Sequence, residues 1–129
     1  MKIEHIAIWV KDLELMREFY QKHFNARSND KYINSKKGFE SYFLSFAEGA
    51  RVEIMQMPSI PPCIHNPGEQ HMGLIHFALS LGSKNAVDSL TTRLKEDGYT
   101  VVDGPRTTGD GYYESVVLDP EGNRIELTL

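Results

Sequence analysis

The residues best suited to chemistry in this chain are His5, Glu53, His76 and Glu126, because they recur as matched pairs. His5 sits in IEHIAIWV (residues 3–10) and His76 in LIHFALSL (74–81), 71 positions apart. Glu53 closes ESYFLSFAEGARVE (40–53) and Glu126 closes ESVVLDPEGNRIE (114–126), 73 positions apart. With a one-residue gap after Leu44, seven of thirteen columns of the second pair are identical. A lone histidine on a strand is usually a hydrogen-bonded core or edge residue, and a lone glutamate usually faces solvent. Matched recurrence in two halves of one chain is a stronger signal, that of a repeated structural module. Imidazole nitrogen with carboxylate oxygen suits a borderline divalent ion such as Zn, Ni, Co, Mn or Fe. Four protein ligands leave up to two positions of an octahedral ion for a chelating small molecule.

The elements that must carry these groups follow from periodicity. Ile3–Val10 alternates as a strand, and Asp12 is placed to cap a helix in which Met16, Phe19, Tyr20, His23 and Phe24 recur at helical spacing, up to a stop at Asn25. His23 is expected at an exposed or boundary position. Strands are expected at about Phe39–Phe46 and Arg51–Gln56, joined by a turn at Glu48–Gly49. The second half repeats the order. Leu74–Leu81 reads as a strand, Ser83 as a cap, Val87, Leu90 and Leu94 as a buried stripe, and Gly98 as the helix stop. Strands near Val101–Val102, Tyr113–Leu118 and Arg124–Leu129 follow, with Thr107–Tyr113 as a hairpin turn. The Pro-rich stretch between the halves reads as a linker. Its His65 and His71 are expected to be solvated, and Cys63 to be an ordinary loop thiol.

Successive strand side chains point to opposite faces. Ile6, Ile8 and Val10 therefore oppose His5, Ala7 and Trp9; Val52 and Ile54 oppose Arg51, Glu53 and Met55. Phe77 and Leu79 oppose His76, Ala78 and Ser80, while Ile125 and Leu127 oppose Arg124, Glu126 and Thr128. The apolar sets offer the helices a face to cover. The polar sets share a second surface, where the two histidines and two glutamates can converge if the sheet curls.

The remaining bulk properties narrow the function classes. The chain has 129 residues, enough for one domain, with 40% hydrophobic residues and a formal charge of -4. That charge leaves no basic footprint for nucleic acid. One cysteine excludes an internal disulfide, and the amino-terminal apolar run is too short for a membrane span. The expectation is a cytoplasmic protein acting on a small molecule, with no nucleic-acid or membrane partner. No Ser-His-Asp or Cys-His arrangement is visible that would support a nucleophilic enzyme.

The paired module, HIAIWV, the following Phe19–Tyr20 and the closing DPEGNRIEL (119–127) resemble the vicinal oxygen chelate superfamily of glyoxalases, bleomycin-resistance proteins and extradiol dioxygenases. The resemblance covers essentially the whole chain. It implies an α+β fold of two paired βαβββ modules that form a U-shaped mixed sheet with helices on its outer face. One domain would span 1–129, with module 1 at about 1–57, a linker at about 58–72 and module 2 at about 73–129. It also implies a homodimer, with the site held within one chain or shared between two. Bacterial glyoxalase I is similar in using His-Glu-His-Glu order, which maps onto His5, Glu53, His76 and Glu126. Methylmalonyl-CoA epimerases carry Gln where this chain has Glu53, and fosfomycin-resistance enzymes and extradiol dioxygenases use two His and one Glu. Bleomycin-binding members lack the metal set.

The activity this resemblance implies is a metal-dependent lyase or isomerase of the glyoxalase I type. It would act on a small α-oxygenated carbonyl compound, such as a thiol adduct of a 2-oxoaldehyde, through a metal-stabilised enediolate, with Glu126 or Glu53 as general base. The alternatives are a fosfomycin-type thiol transferase and a non-catalytic binding protein. Trp9, Arg51, Tyr113 and Arg124 are the candidate pocket residues. Trp9 stands where bacterial glyoxalase I carries an arginine for a glutathione carboxylate, so glutathione adducts are expected to bind weakly.

Overall fold

Asp12 and Ser83 start the two helices, and each does so with its own side chain. The Asp12 carboxylate accepts from the Leu15 N–H at 3.0 Å and the Ser83 hydroxyl from the Ala86 N–H at 3.2 Å. The computed structural model describes residues 1–129, which divide into two units, Met1–Cys63 and Ile64–Leu129. The division falls inside the segment read as a linker. Each unit has one mixed sheet and one helix, giving the α+β, two-module architecture.

The first unit runs β1 (His5–Trp9), α1 (Leu13–Phe24), β2 (Arg27–Ser28), β3 (Tyr32–Asn34), β4 (Phe39–Ser45) and β5 (Arg51–Gln56). The sheet order is β1-β5-β4-β2, with β3 also paired to β4; β1 and β5 are parallel, the other pairs antiparallel. Periodicity did not place β2 and β3, although a βαβββ module implies a strand ahead of β4. They are short and without alternation, and they form only by pairing with β4. Leu13, Met16, Phe19, Tyr20 and His23 make the buried stripe of α1, which packs against β4 and β5, where Leu44, Val52 and Ile54 are almost wholly buried. Truncating such a residue to alanine costs about 2–5 kcal/mol. His23 is 3% exposed, not at the boundary, because it lies one turn after Phe19 on the inward stripe, with ring centroids 5.2 Å apart. Asn25 ends the helix in the left-handed region, at φ 53°, its N–H bonded to the Tyr20 carbonyl.

The second unit runs β6 (His76–Ser80), α2 (Lys84–Glu96), β7 (Val101–Thr107), β8 (Tyr113–Leu118) and β9 (Arg124–Thr128), in sheet order β6-β9-β8-β7. Here β6 and β9 are parallel and the other pairs antiparallel. Strand β7 extends well past Val102, through two register shifts. Gly104 lies within the second, at φ 76°; a Cβ there would stand 2.5 Å from the Glu114 carbonyl oxygen, so the close approach of β7 to β8 requires glycine. Val87, Leu90, Thr91 and Leu94 form the buried face of α2. Thr91 donates to the Val87 carbonyl at 2.7 Å, so the 2.6 Å contact between Thr91 Oγ1 and Ser115 Oγ is donated by Ser115.

The hairpin register corrects the repeat alignment. Leu44 pairs with Val52 and Phe43 with Glu53; Val117 pairs with Ile125 and Val116 with Glu126. Both hairpins therefore keep the offset of 73 throughout, and no gap belongs after Leu44. The identities Glu40/Glu114, Ser41/Ser115 and Leu44/Leu118 fall on non-equivalent positions. A one-residue slip would have moved every β8 side chain to the other face. No helix is long and apolar enough to cross a membrane.

Candidate functional site

In the first unit the parallel pairing sets His5 beside Arg51, Ala7 beside Glu53 and Trp9 beside Met55. These side chains leave the face opposite α1, while Val52 and Ile54 enter the core. His5 Nε2 lies 3.9 Å from Glu53 Oε2; the histidine side chain is 39% exposed and the glutamate 16%. The other imidazole nitrogen is committed, since His5 Nδ1 donates to Glu4 Oε2 at 2.5 Å. Glu4 accepts from Arg51 Nε at 2.7 Å through its second oxygen, and pairs with the Arg51 terminal nitrogen as well. The bonds from His5 and then Arg51 hold the Glu4 carboxyl below its ordinary range. An ionised carboxylate on Nδ1 fixes the ring orientation and leaves the Nε2 lone pair available, as in a metal-ligating histidine. Arg51, a candidate pocket residue, thus supports Glu4 and His5.

The second unit repeats the geometry. His76 stands beside Arg124 and Ala78 beside Glu126, and His76 Nε2 lies 3.2 Å from Glu126 Oε2 with the same exposures, 39% and 16%. Asp119 sets the turn that launches β9. Its Oδ1 accepts from the Glu121 and Asn123 N–H groups at 3.0 and 2.8 Å, and its Oδ2 from the Asn123 amide at 2.8 Å. Arg124 is again engaged away from its glutamate, donating to the Pro67 carbonyl at 3.0 Å. Pro67 also seats on Gly122, where a Cβ would meet its ring at 2.6 Å.

Tyr113, expected at the pocket, instead turns to the helix side of its sheet. Its hydroxyl donates to Asp88 Oδ1 on α2 at 2.6 Å, because Tyr113, Ser115 and Val117 share the face that α2 covers. The residue that sequence reading missed is its neighbour Glu114. It alternates onto the face of Val116 and Glu126, and its carboxyl is raised by burial and then by the Glu126 charge. Strand alternation in the correct register would have found it. Within either unit no group of three or more His, Cys, Asp or Glu side chains is arranged to hold a metal ion; through Nε2, His5 approaches Glu53 and His76 approaches Glu126. His65 and His71 are exposed and stack at 4.1 Å, and Cys63 is exposed.

A profile of the Glyoxalase/Bleomycin resistance protein/Dioxygenase superfamily matches residues 2–127. The chain belongs to this superfamily. An uncharacterized protein of Bacillus subtilis (strain 168), YqjT, is 27% identical over 132 residues, covering 97% of this chain and 96% of that one. Among solved structures, a possible glyoxalase from Bacillus cereus superposes with a TM-score of 0.73 at 26% identity, over 100% of this chain and 99% of that one. The trypanothione-dependent glyoxalase I of Leishmania major gives 0.78 at 18% identity, over 99% of this chain and 86% of that one. Glyoxalase I of Zea mays gives 0.79 at 21% identity, over 98% of this chain but 44% of that one. The last two likenesses establish the shared fold.

Proposed function

We propose that this superfamily member is a metal-dependent, glyoxalase I-like lyase or isomerase acting on a small α-oxygenated carbonyl compound. His5, Glu53, His76 and Glu126 would hold one divalent ion, Zn, Ni, Co, Mn or Fe, each unit contributing one pair. The observation that carries the reading is the repetition of one donor geometry at one register position, an exposed imidazole Nε2 within 4 Å of a largely shielded carboxylate oxygen. The donor set fits such an ion, since the nitrogen and oxygen atoms are of the right type and the Glu4 carboxylate already orients one imidazole. When bound, the ion would draw electron density from vicinal substrate oxygens and lower the cost of removing the neighbouring proton.

The chain's own residues would do the rest. Glu53 and Glu126 would supply the carboxylate oxygens that accept a proton from a bound substrate. Glu126 is the first candidate for the base and Glu53 the second. The exposed imidazoles leave the face open to a small molecule. Trypanothione is the thiol named for the Leishmania enzyme, and a thiol–2-oxoaldehyde adduct is one substrate to try here.

The test is metal content followed by turnover. Dialysed protein reloaded with each ion should bind one equivalent per chain, in a homodimer as in a monomer. His5→Ala and His76→Ala should each abolish that binding. Glu126→Gln should keep much of the metal and lose most turnover, because an amide cannot act as a base. Binding that survives both histidine changes would refute the metal reading. Metal without turnover of any 2-oxoaldehyde adduct would favour a thiol transferase or a binding protein.

A further inference from the structure

The two repeats agree at the His–Glu pairs and differ in what surrounds them. At equivalent positions Trp9 corresponds to Ser80, Met55 to Thr128 and Phe43 to Val116. The face of the second unit is polar and charged, with Arg106 paired to Asp103 beside Glu114. The face of the first unit is aromatic. Trp9 and Phe39 meet edge to face at 5.9 Å, Phe39 and Tyr32 at 6.0 Å, and the Phe43 ring stands edge-on to His5 at 5.3 Å. Trp9 is 42% exposed and Tyr32 55%, a costly arrangement for rings that nothing covers.

We propose that the Trp9–Phe39–Tyr32 wall is a binding subsite for a planar, uncharged aromatic group carried by the chelating substrate, an inference that rests on the metal reading of His5 and Glu53. Three features of the first unit favour a ring over other occupants. Ala7 lies between His5 and Trp9 on the same face and beside Glu53, so on β1 only a methyl group stands between the donor pair and the aromatic wall. Four residue steps along β1 take His5 to Trp9, roughly 13 Å, enough for a chelating head and one ring but short for an extended peptide thiol. The cation on this face, Arg51, is neutralised by Glu4 and lies over the Phe43 ring at 4.1 Å, so it offers no carboxylate site.

Trp9 is the single tryptophan of the chain, so its emission reports directly on this wall. Metal-loaded protein is titrated with benzohydroxamate and acetohydroxamate, and metal-free protein with benzamide and acetamide. Stacking predicts about a tenfold preference for phenyl over methyl in both series, with a change in Trp9 emission. Phe39→Ala or Tyr32→Ala should cut that preference to about threefold or less, while His5→Ala should weaken both hydroxamates alike and leave the ratio. Equal binding of phenyl and methyl probes in both series would overturn the subsite. So would emission that follows protein concentration and ignores the probes, which would mean that a second copy covers the wall. Hydroxamates that bind no better than the amides, with the phenyl preference intact, would sink the metal reading and leave the subsite standing.

Discussion

Gly122 and Gly49 are repeat equivalents that isolate one contact. Both have positive φ, 86° and 89°, so alanine at either position incurs a backbone cost of roughly 1–2 kcal/mol. At Gly49 nothing lies within 4 Å of the added methyl, and the backbone cost is the whole effect. At Gly122 the methyl would stand 2.6 and 3.0 Å from two Pro67 ring atoms, an overlap that must push the Pro67 segment away. Overpacking of this kind adds about 1–3 kcal/mol, so Gly122→Ala should cost about 2–5 kcal/mol in total. The displaced segment also carries the carbonyl that receives Arg124. Urea unfolding of Gly49→Ala, Gly122→Ala, Pro67→Ala and the Pro67→Ala/Gly122→Ala pair measures the excess. The double variant should recover most of the difference between the two glycines. Equal losses at Gly49 and Gly122, or no recovery in the double variant, would show that Pro67 does not press on the turn.

Glu4→Gln should weaken metal binding about 10–100-fold by competition with a chromophoric chelator, because it loosens the orientation of His5. It should leave the melting temperature nearly unmoved, since the Glu4 side chain is 54% exposed. Thr91→Val should cost about 1–3 kcal/mol in urea unfolding, because it strands the buried Ser115 donor; Ser115→Ala should cost less, because Thr91 keeps the Val87 carbonyl. Glu14 is held below its ordinary pKa of 4.5 chiefly by the Lys31 hydrogen bond at 2.7 Å, and then by Tyr42. Its contribution is present above about pH 4.5 and fades as pH falls through the lowered value. Lys31, raised above 10.5 mainly by Glu14 and then Glu40, contributes fully below that pH and loses its share as pH rises through the raised value. Both effects should stay within about 1 kcal/mol, because the Glu14 side chain is 44% exposed. Lys31→Met should therefore flatten the loss of stability as pH falls below about 4.5; an unchanged acid limb would remove Lys31 as its cause.

The sequence alone determined what depends on local periodicity. Alternation separated His5, Glu53, His76 and Glu126 from the apolar residues between them, and Asp12, Asn25 and Ser83 marked helix ends through bonds to near neighbours in the chain. The closing DPEGN turn was legible for the same reason, since Asp119 bonds groups two and four residues ahead. What only the tertiary structure decided depends on which strand lies beside which. The register of β8 against β9 turned Tyr113 to the helix and Glu114 to the glutamate face, and a strand carries no record of its register until its partner is in place. The arginines were legible as ligand-face residues but not in their roles. A guanidinium pairs with whatever oxygen the fold brings near, Glu4 for Arg51 and the Pro67 carbonyl for Arg124. Trp9, Phe39 and Tyr32 are scattered over 31 residues of sequence and become one wall only because β1, β4 and β3 belong to one sheet.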